Sequence, residues 1–128
     1  MEKKTFFMQQ WAPTTARVCE QDVKLLFSLG AAADMESQLE TDYPKIVCEF
    51  LRIPTDGGTE LAPPMTLKRQ AVVIACMMRA AGEDVAPDDL MHLHMQDFAA
   101  LSKAAGQEMI AKSPTAKKSQ VRQAGHDF

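Results

Sequence analysis

The sequence predicts a mostly α-helical fold, a small helical bundle with a C-terminal tail, on two observations. Apolar residues between positions 12 and 112 recur mainly with the helical period, and the stretch Ala71–Met78 is apolar all round, as in a helix enclosed by others. A chain of 128 residues, 46% of them apolar and 24% charged, suits one globular domain. We therefore expect a single helical domain over residues 1–112 and a basic flexible tail, disordered in solution, over residues 113–128.

The first helix is predicted from Ala16 to Leu29, capped by Thr14 or Thr15 and ended by Gly30. Its polar residues share one helical face, with Glu20 and Lys24 as a favourable pair. These polar residues are Arg17, Glu20, Gln21, Lys24 and Ser28. A second helical segment follows from Asp34 to Glu40, where Ser37 and Glu40 have the spacing of a capping box.

The next segment, Lys45–Ile53, is compatible with two structures. As a helix, with Pro44 in its first turn, it places four apolar side chains on one face. These are Ile46, Val47, Phe50 and Leu51. As a strand, it runs into a Pro-Thr-Asp-Gly-Gly turn with a return strand over residues 59–61. Lys4–Trp11 reads as a short N-terminal strand, so a small β-element or hairpin beside the helices stays open.

The strongest helix is predicted over Thr66–Ala81, with Thr66 as its cap, and it should be the central one. Pro87, Asp88 and Asp89 begin a short helix, where a proline and acidic residues fit the first turn. Asp97 is the expected cap of the last helix. That helix carries an apolar stripe of Phe98, Leu101, Ala105 and Met109.

Few residues have the spacing of a catalytic or metal site. His92 and His94 are two residues apart, and on a helix they point about 200° away from each other, so they and Asp97 do not form a metal site. Asp88 and Asp89 are better explained by the helix dipole than by acid–base chemistry. Cys19, Cys48 and Cys76 fit neither a disulfide framework nor a zinc site, and buried thiols are expected. We expect no enzymatic activity, no cofactor and no metal.

Charge is distributed unevenly along the chain. Four cations, Lys112, Lys117, Lys118 and Arg122, stand against Asp127 in the last 17 residues, so this segment carries +3 and the remainder carries −6 of the net −3. The short helix after Pro87 begins with two acids and contains neither Lys nor Arg, which disfavours it as a DNA recognition helix.

The chain has nine methionines. Two of them, Met91 and Met95, share a helical face that belongs either to the core or to a partner-binding groove.

Residues 66–109 resemble the C-terminal half of small tail assembly chaperones of tailed bacteriophages. The shared features are an apolar helix ending at Gly82, a short acidic helix with two leucines, and an Asp-aromatic-x-x-Leu helix start. Here these places are taken by Asp89, Leu90 and Leu93, and then by Asp97, Phe98 and Leu101. The Leu-Arg-x-Pro stretch of the family lies later here, at residues 51–54, and the middle of the chain has no counterpart.

The resemblance implies a non-virion chaperone or adaptor that binds the tape-measure protein and tail-tube subunits during assembly in the host cytoplasm. Its partner-binding residues are expected to be Leu90, Met91, Leu93, Met95, Phe98 and Leu101. The alternative is a small phage or bacterial regulatory or inhibitory protein that binds a host protein through an acidic helical surface; a DNA-binding regulator is a weaker alternative. The sequence leaves open whether the chain forms a homo-oligomer.

No membrane association is expected. The longest run of apolar residues, Ala71–Met78, is far shorter than the roughly 20 residues that cross a bilayer. No secretory signal is expected either, since Gln9 and Gln10 come before any long apolar stretch. The sequence thus predicts a cytoplasmic protein.

Overall fold

A computed structural model of the chain describes residues 12–54 and 63–113. In that part the chain is mostly helical, with one antiparallel hairpin, which confirms the predicted fold class. Its elements are β1 (Thr14–Val18), β2 (Gln21–Leu25), α1 (Leu29–Leu39), α2 (Tyr43–Leu51), α3 (Leu67–Ala80), α4 (Pro87–Leu90) and α5 (Met95–Lys112). The predicted strand at Lys4–Trp11, the return strand at residues 59–61 and the tail from residue 114 lie outside the described residues.

The helix predicted over Ala16–Leu29 is wrong, because this segment forms the β1–β2 hairpin. Ala16, Val18 and Leu25 are buried and alternate with exposed residues, which is the period of a half-buried strand. The two turn residues, Cys19 and Glu20, have φ of 51° and 63°. Two consecutive positive φ values are what a tight two-residue hairpin turn requires, and the Asn or Gly that normally announces such a turn is absent here.

The start of α1 also differs from the prediction. Ser28 caps it, its hydroxyl accepting a hydrogen bond from the Ala31 N–H at 3.2 Å, so Gly30 lies in the first turn of a helix and does not end one. The predicted segment Asp34–Glu40 therefore begins too late. The expected Glu20–Lys24 pair is replaced by an exposed cross-strand ion pair between Arg17 and Asp22 at 3.1 Å.

Residues 43–51 form a helix, which decides the open choice for this segment. Pro44 lies in the first turn, and Ile46, Val47 and Cys48 are buried. The helix ends at Arg52, whose φ of 56° puts it in the left-handed region, and the Ile53 N–H bonds back to the Cys48 carbonyl at 3.0 Å. This is the usual way to satisfy the last carbonyls of a helix, although a glycine commonly occupies the left-handed position.

Helix α3 is the central element, as predicted. Thr66 caps it by accepting from the Arg69 N–H at 3.2 Å, and seven residues from Ala71 to Met78 are buried. It packs against α1, α4, α5 and β2. The carbonyl of Met77 also accepts a hydrogen bond from the Leu26 N–H at 3.0 Å, which joins the end of the hairpin directly to this helix.

Helix α5 carries the predicted stripe of buried residues, Phe98, Leu101, Ala105 and Met109. The prediction of Asp97 as its cap is wrong: His94 is the cap, and Asp97 lies in the first turn, where the helix dipole favours a negative charge. The predicted tail begins in the described part with Ser113, which is buried and whose backbone N–H donates to the Met109 carbonyl at 2.7 Å.

A buried carboxylate in α5 holds the hairpin in place. Glu108 is only 1% exposed. It accepts hydrogen bonds from the Thr14 hydroxyl at 2.7 Å, the Phe27 N–H at 2.8 Å and the Lys112 ammonium at 2.7 Å. The same ammonium donates to the Ala12 carbonyl at 2.7 Å. Charge is tolerated at this depth because both carboxylate oxygens have donors and a cation is present.

We expect Glu108→Gln to lower the free energy of unfolding by about 3 kcal/mol, since the amide turns a donor toward other donors and leaves Lys112 without its counter-ion. Urea denaturation followed by circular dichroism measures this. The control is Glu20→Gln, the same change at an exposed turn position, which should stay within about 0.5 kcal/mol of the wild type. Equal stabilities of the two variants would contradict the role given to Glu108.

Glu40 follows α1 with a φ of 51° and places a negative charge at the end of the helix. Because both features are unfavourable, Glu40→Gly should raise the free energy of unfolding by about 1 kcal/mol. Ser37→Gly, the same residue introduced inside α1, should lower it by up to about 1 kcal/mol. Thermal unfolding of the two variants compares them; destabilisation by both would show that the left-handed position is not strained.

Candidate functional site

Three elements bring exposed apolar side chains together at one corner of the molecule. They are the start of α3, helix α4 with the turn after it, and the start of α5. We call this surface the methionine patch, defined by Leu67, Leu90, Met91, Leu93, Met95 and Phe98. These six residues line an open cavity of about 100 Å³.

The short helix α4 and its turn are fixed by local hydrogen bonds. The Asp89 carboxylate accepts from the Ala86 N–H at 2.8 Å, which sets the start of α4. After the helix, the Leu93 N–H bonds to the Leu90 carbonyl at 3.2 Å, and the chain turns directly into α5. Leu90 and Phe98 are buried and anchor the two sides of this turn to the core.

The other side chains of the methionine patch remain accessible to solvent. Leu67 is 47% exposed, Met91 48% and Met95 72%. Single exposed apolar residues are ordinary on protein surfaces, and Leu29, 88% exposed at the start of α1, is an example outside the patch. Three exposed apolar side chains around one cavity are less ordinary. Contiguous apolar patches of this kind commonly mark interaction surfaces.

Five of the six predicted partner-binding residues lie together in this patch. Leu101 does not, since it is 1% exposed and belongs to the core. The alternative that Met91 and Met95 are core residues is wrong, given their exposure. Leu67 was not among the residues predicted from the sequence. It could have been noticed as an apolar residue that directly follows the Thr66 cap and lies outside the buried face of α3.

The cavity is small for a metabolite or cofactor, because pockets for such ligands usually measure about 300–1,000 Å³. Its size suits a single aliphatic side chain. Anchor residues of protein partners insert into apolar pockets of this kind. The flexible side chains of Met91 and Met95 can adjust to differently shaped anchors.

The chain segment that contributes most of the patch is acidic. Between Ala80 and Ser102 the sequence holds neither Lys nor Arg, and it contains five acids: Glu83, Asp84, Asp88, Asp89 and Asp97. Asp84 and Asp88 are exposed. Asp97 accepts a hydrogen bond from the Cys19 thiol, at an Sγ–Oδ2 distance of 3.4 Å, which links the hairpin turn to the start of α5.

The two histidines beside the patch, His92 and His94, are exposed. In residues 12–54 and 63–113, no three His, Cys, Asp or Glu side chains are grouped as a metal site would need.

A second polar cluster joins α1 to α3. The Arg79 guanidinium contacts the Asp34 carboxylate at 2.8 Å, and Gln38 donates to the other oxygen of that carboxylate at 2.8 Å. Hydrogen bonding to Arg79 lowers the pKa of Asp34. Burial raises the pKa of the neighbouring Cys76 thiol to about 12, so this thiol is protonated at neutral pH and is not a nucleophile.

A larger groove of about 530 Å³ lies between α2, the start of α3 and α5. Phe50, Leu51 and Ile110 contribute apolar walls, with Arg52 and Lys103 also lining it. At Gly106 helix α5 packs against α2: a Cβ there would lie 3.4 Å from the Leu51 side chain, in ordinary van der Waals contact.

The thiols differ in accessibility, which corrects the prediction of three buried cysteines: Cys48 and Cys76 are buried and Cys19 is exposed.

At pH 8 Ellman's reagent should modify Cys19 in the native protein and all three thiols in denaturant. The hydrogen bond to Asp97 raises the pKa of Cys19, so Asp97→Asn should accelerate its modification and Asp22→Asn should not. Equal rates in the two variants would contradict this contact.

Within the described ranges, no helix combines the length and apolar character needed to span a bilayer. Comparison with models of known protein families gives no match, and neither the curated proteins nor the solved structures yield one.

Proposed function

We propose that this protein is a non-enzymatic assembly chaperone or adaptor of a tailed bacteriophage, which binds the tape-measure protein and tail-tube subunits in the host cytoplasm. The observation that carries the binding role is the exposure of Leu67, Met91 and Met95 around a cavity the size of one side chain. The phage assignment is supported by the resemblance of residues 66–109 to tail assembly chaperones.

The methionine patch suits transient binding of many similar segments. A chaperone that coats a long helical protein must accept successive turns whose apolar residues differ in size and spacing. Flexible Met side chains tolerate such variation better than branched ones, because they adopt several rotamers at low cost. Leu90 and Phe98, buried beneath them, keep the floor of the site in place.

A regulatory or inhibitory protein that binds a host factor is the second candidate. The observation that favours it is the presence of five acidic residues, and of neither Lys nor Arg, between Ala80 and Ser102. An acidic surface of this kind can occupy the basic site of a nucleic-acid-binding protein. Neighbouring genes of the early regulatory class, in place of tail genes, would favour this candidate.

The test is co-expression with the tape-measure protein encoded nearest to this gene. The measurement is the amount of tape-measure protein that stays soluble and co-purifies with this chain. The wild type should keep the partner soluble. The triple variant Leu67→Ser, Met91→Ser and Met95→Ser should reduce co-purification about tenfold or more, because truncated anchor contacts each cost over about 1 kcal/mol. Leu29→Ser, a change at an apolar residue of still higher exposure outside the patch, is the matched control and should behave as the wild type.

Two results would overturn the proposal. The first is that the wild type neither co-purifies with the tape-measure protein nor changes its solubility. The second is that the triple variant, shown by circular dichroism to be folded, performs as well as Leu29→Ser. The second result would remove the methionine patch from the binding role even where association occurs.

A further inference from the structure

We infer that the segment bound by the methionine patch is an amphipathic helix whose apolar stripe is flanked by Lys or Arg. This inference rests on the proposed function in taking the patch as a docking surface, and it adds the chemistry of the partner. Two features carry it: how the patch is built, and which charges border it.

The patch offers side chains to a partner and no strand edge. Leu67, Leu90 and Met95 belong to helices, and Leu93 and Phe98 donate their N–H groups to nearby carbonyls. A partner in extended conformation would find no unpaired row of backbone groups here to extend as a sheet. A helix, in contrast, satisfies its own backbone and presents residues at i, i+3 and i+4 as anchors, which fits a cavity that holds one side chain.

The border of the patch is acidic on the side of α4. Asp88 precedes Met91 by three residues, and the Met91 N–H bonds to the Asp88 carbonyl at 3.2 Å, so the two side chains lie on the same side of the short helix. Asp97, in the first turn of α5, is two residues after Met95 and directs its carboxylate to the Cys19 thiol of the hairpin turn, so it does not belong to this border. Asp84 is exposed on the segment that leads into α4.

Long basic side chains match this arrangement. The aliphatic part of a Lys or Arg can cover the edge of an apolar surface while its charged end reaches a carboxylate in solvent. Lys68, next to Leu67 on α3, is the cation closest to the patch along the chain, and it lies on a different helix from Asp88. The acidic border therefore selects a partner with positive charges on the side of its stripe that faces α4.

The apolar contacts and the charges should have separable effects. Ion pairs between exposed groups contribute little affinity individually and are screened by salt. They act mainly on the choice of partner and on the rate of association. Anchoring in the cavity should therefore set whether a helix binds, and the acidic border should set which helix binds best.

Three synthetic helical peptides of about 20 residues, long enough to hold helical structure when rich in Ala, serve as probes. Two carry the same Leu and Met stripe, flanked by Lys in one and by Glu in the other. The third has the composition of the Lys peptide with its apolar residues distributed around the helix. Fluorescence anisotropy at low and high salt measures their binding.

Two protein variants with equal charge change complete the test. Asp84→Asn with Asp88→Asn neutralises two exposed acids, one on the segment that leads into α4 and one on α4 itself, three residues before Met91. Glu40→Gln with Asp42→Asn neutralises the same number of exposed acids between α1 and α2. The Lys-flanked stripe peptide should bind the wild type at least about tenfold more tightly than the Glu-flanked peptide at low salt. The first variant should weaken its binding roughly threefold to tenfold, and the second should leave it unchanged.

The outcomes separate the inference from the proposed function. If the two stripe peptides bind equally well, or if both protein variants weaken binding equally, the acidic border does not choose the partner and the inference fails, while the patch remains a docking surface. If the peptide without a stripe binds as well as the Lys-flanked one, the attraction is general and the inference also fails. If no peptide binds, the patch does not receive helices, and the proposed function loses its site as well.

Discussion

The carboxylate of Glu108 is the interaction on which the arrangement of the other elements depends. A charge buried to 1% exposure costs several kcal/mol unless every oxygen is matched, and here the donors come from three separate places: the start of β1, the second residue after β2, and the last turn of α5. A two-stranded hairpin has little stability of its own. Its position on α5 is therefore set by a requirement for hydrogen bonds as much as by burial of Val18 and Leu25.

Two ion pairs complete the frame around the central helix. Arg79 joins α1 to the end of α3, and Arg69 joins α2 to its start through the Glu49 carboxylate at 3.1 Å. Both pairs are partly exposed, so each contributes modestly to stability. They connect α1 and α2 to opposite ends of α3. Leu67, at the start of α3, stays 47% exposed beside α4 and the start of α5.

The sequence predicted those parts whose pattern is continuous. Helix α3 is apolar over eight residues between a Thr cap and Gly82, and α5 has a regular stripe, so both were found. The hairpin was missed because Cys19 and Glu20 adopt left-handed conformations that neither residue type favours, and without a turn signal its polar residues matched a helical period. Tertiary contacts with Glu108 and Met77 outweigh that local preference.

The candidate site was partly predictable for a similar reason. Leu90, Met91, Leu93, Met95 and Phe98 are close in sequence, so a local pattern grouped them. Leu67 comes from a helix that starts 23 residues before Leu90, and only the packing of α4 on α3 brings it to the patch. Glu108 could not be recognised as buried, because a charged residue beside the stripe of an amphipathic helix normally faces water.

The bond between the Lys112 ammonium and the Ala12 carbonyl, at 2.7 Å, has a geometric consequence for the described domain. It places the first described residue, Ala12, beside the last turn of α5, so both ends of the described part of the chain lie at one pole. The methionine patch lies at the other end of α5, a helix of 18 residues and hence about 27 Å long. The described part of the chain thus begins and ends at the pole opposite the patch, so a protein bound at the patch would leave the pole that holds Ala12 and Lys112 available for a second contact.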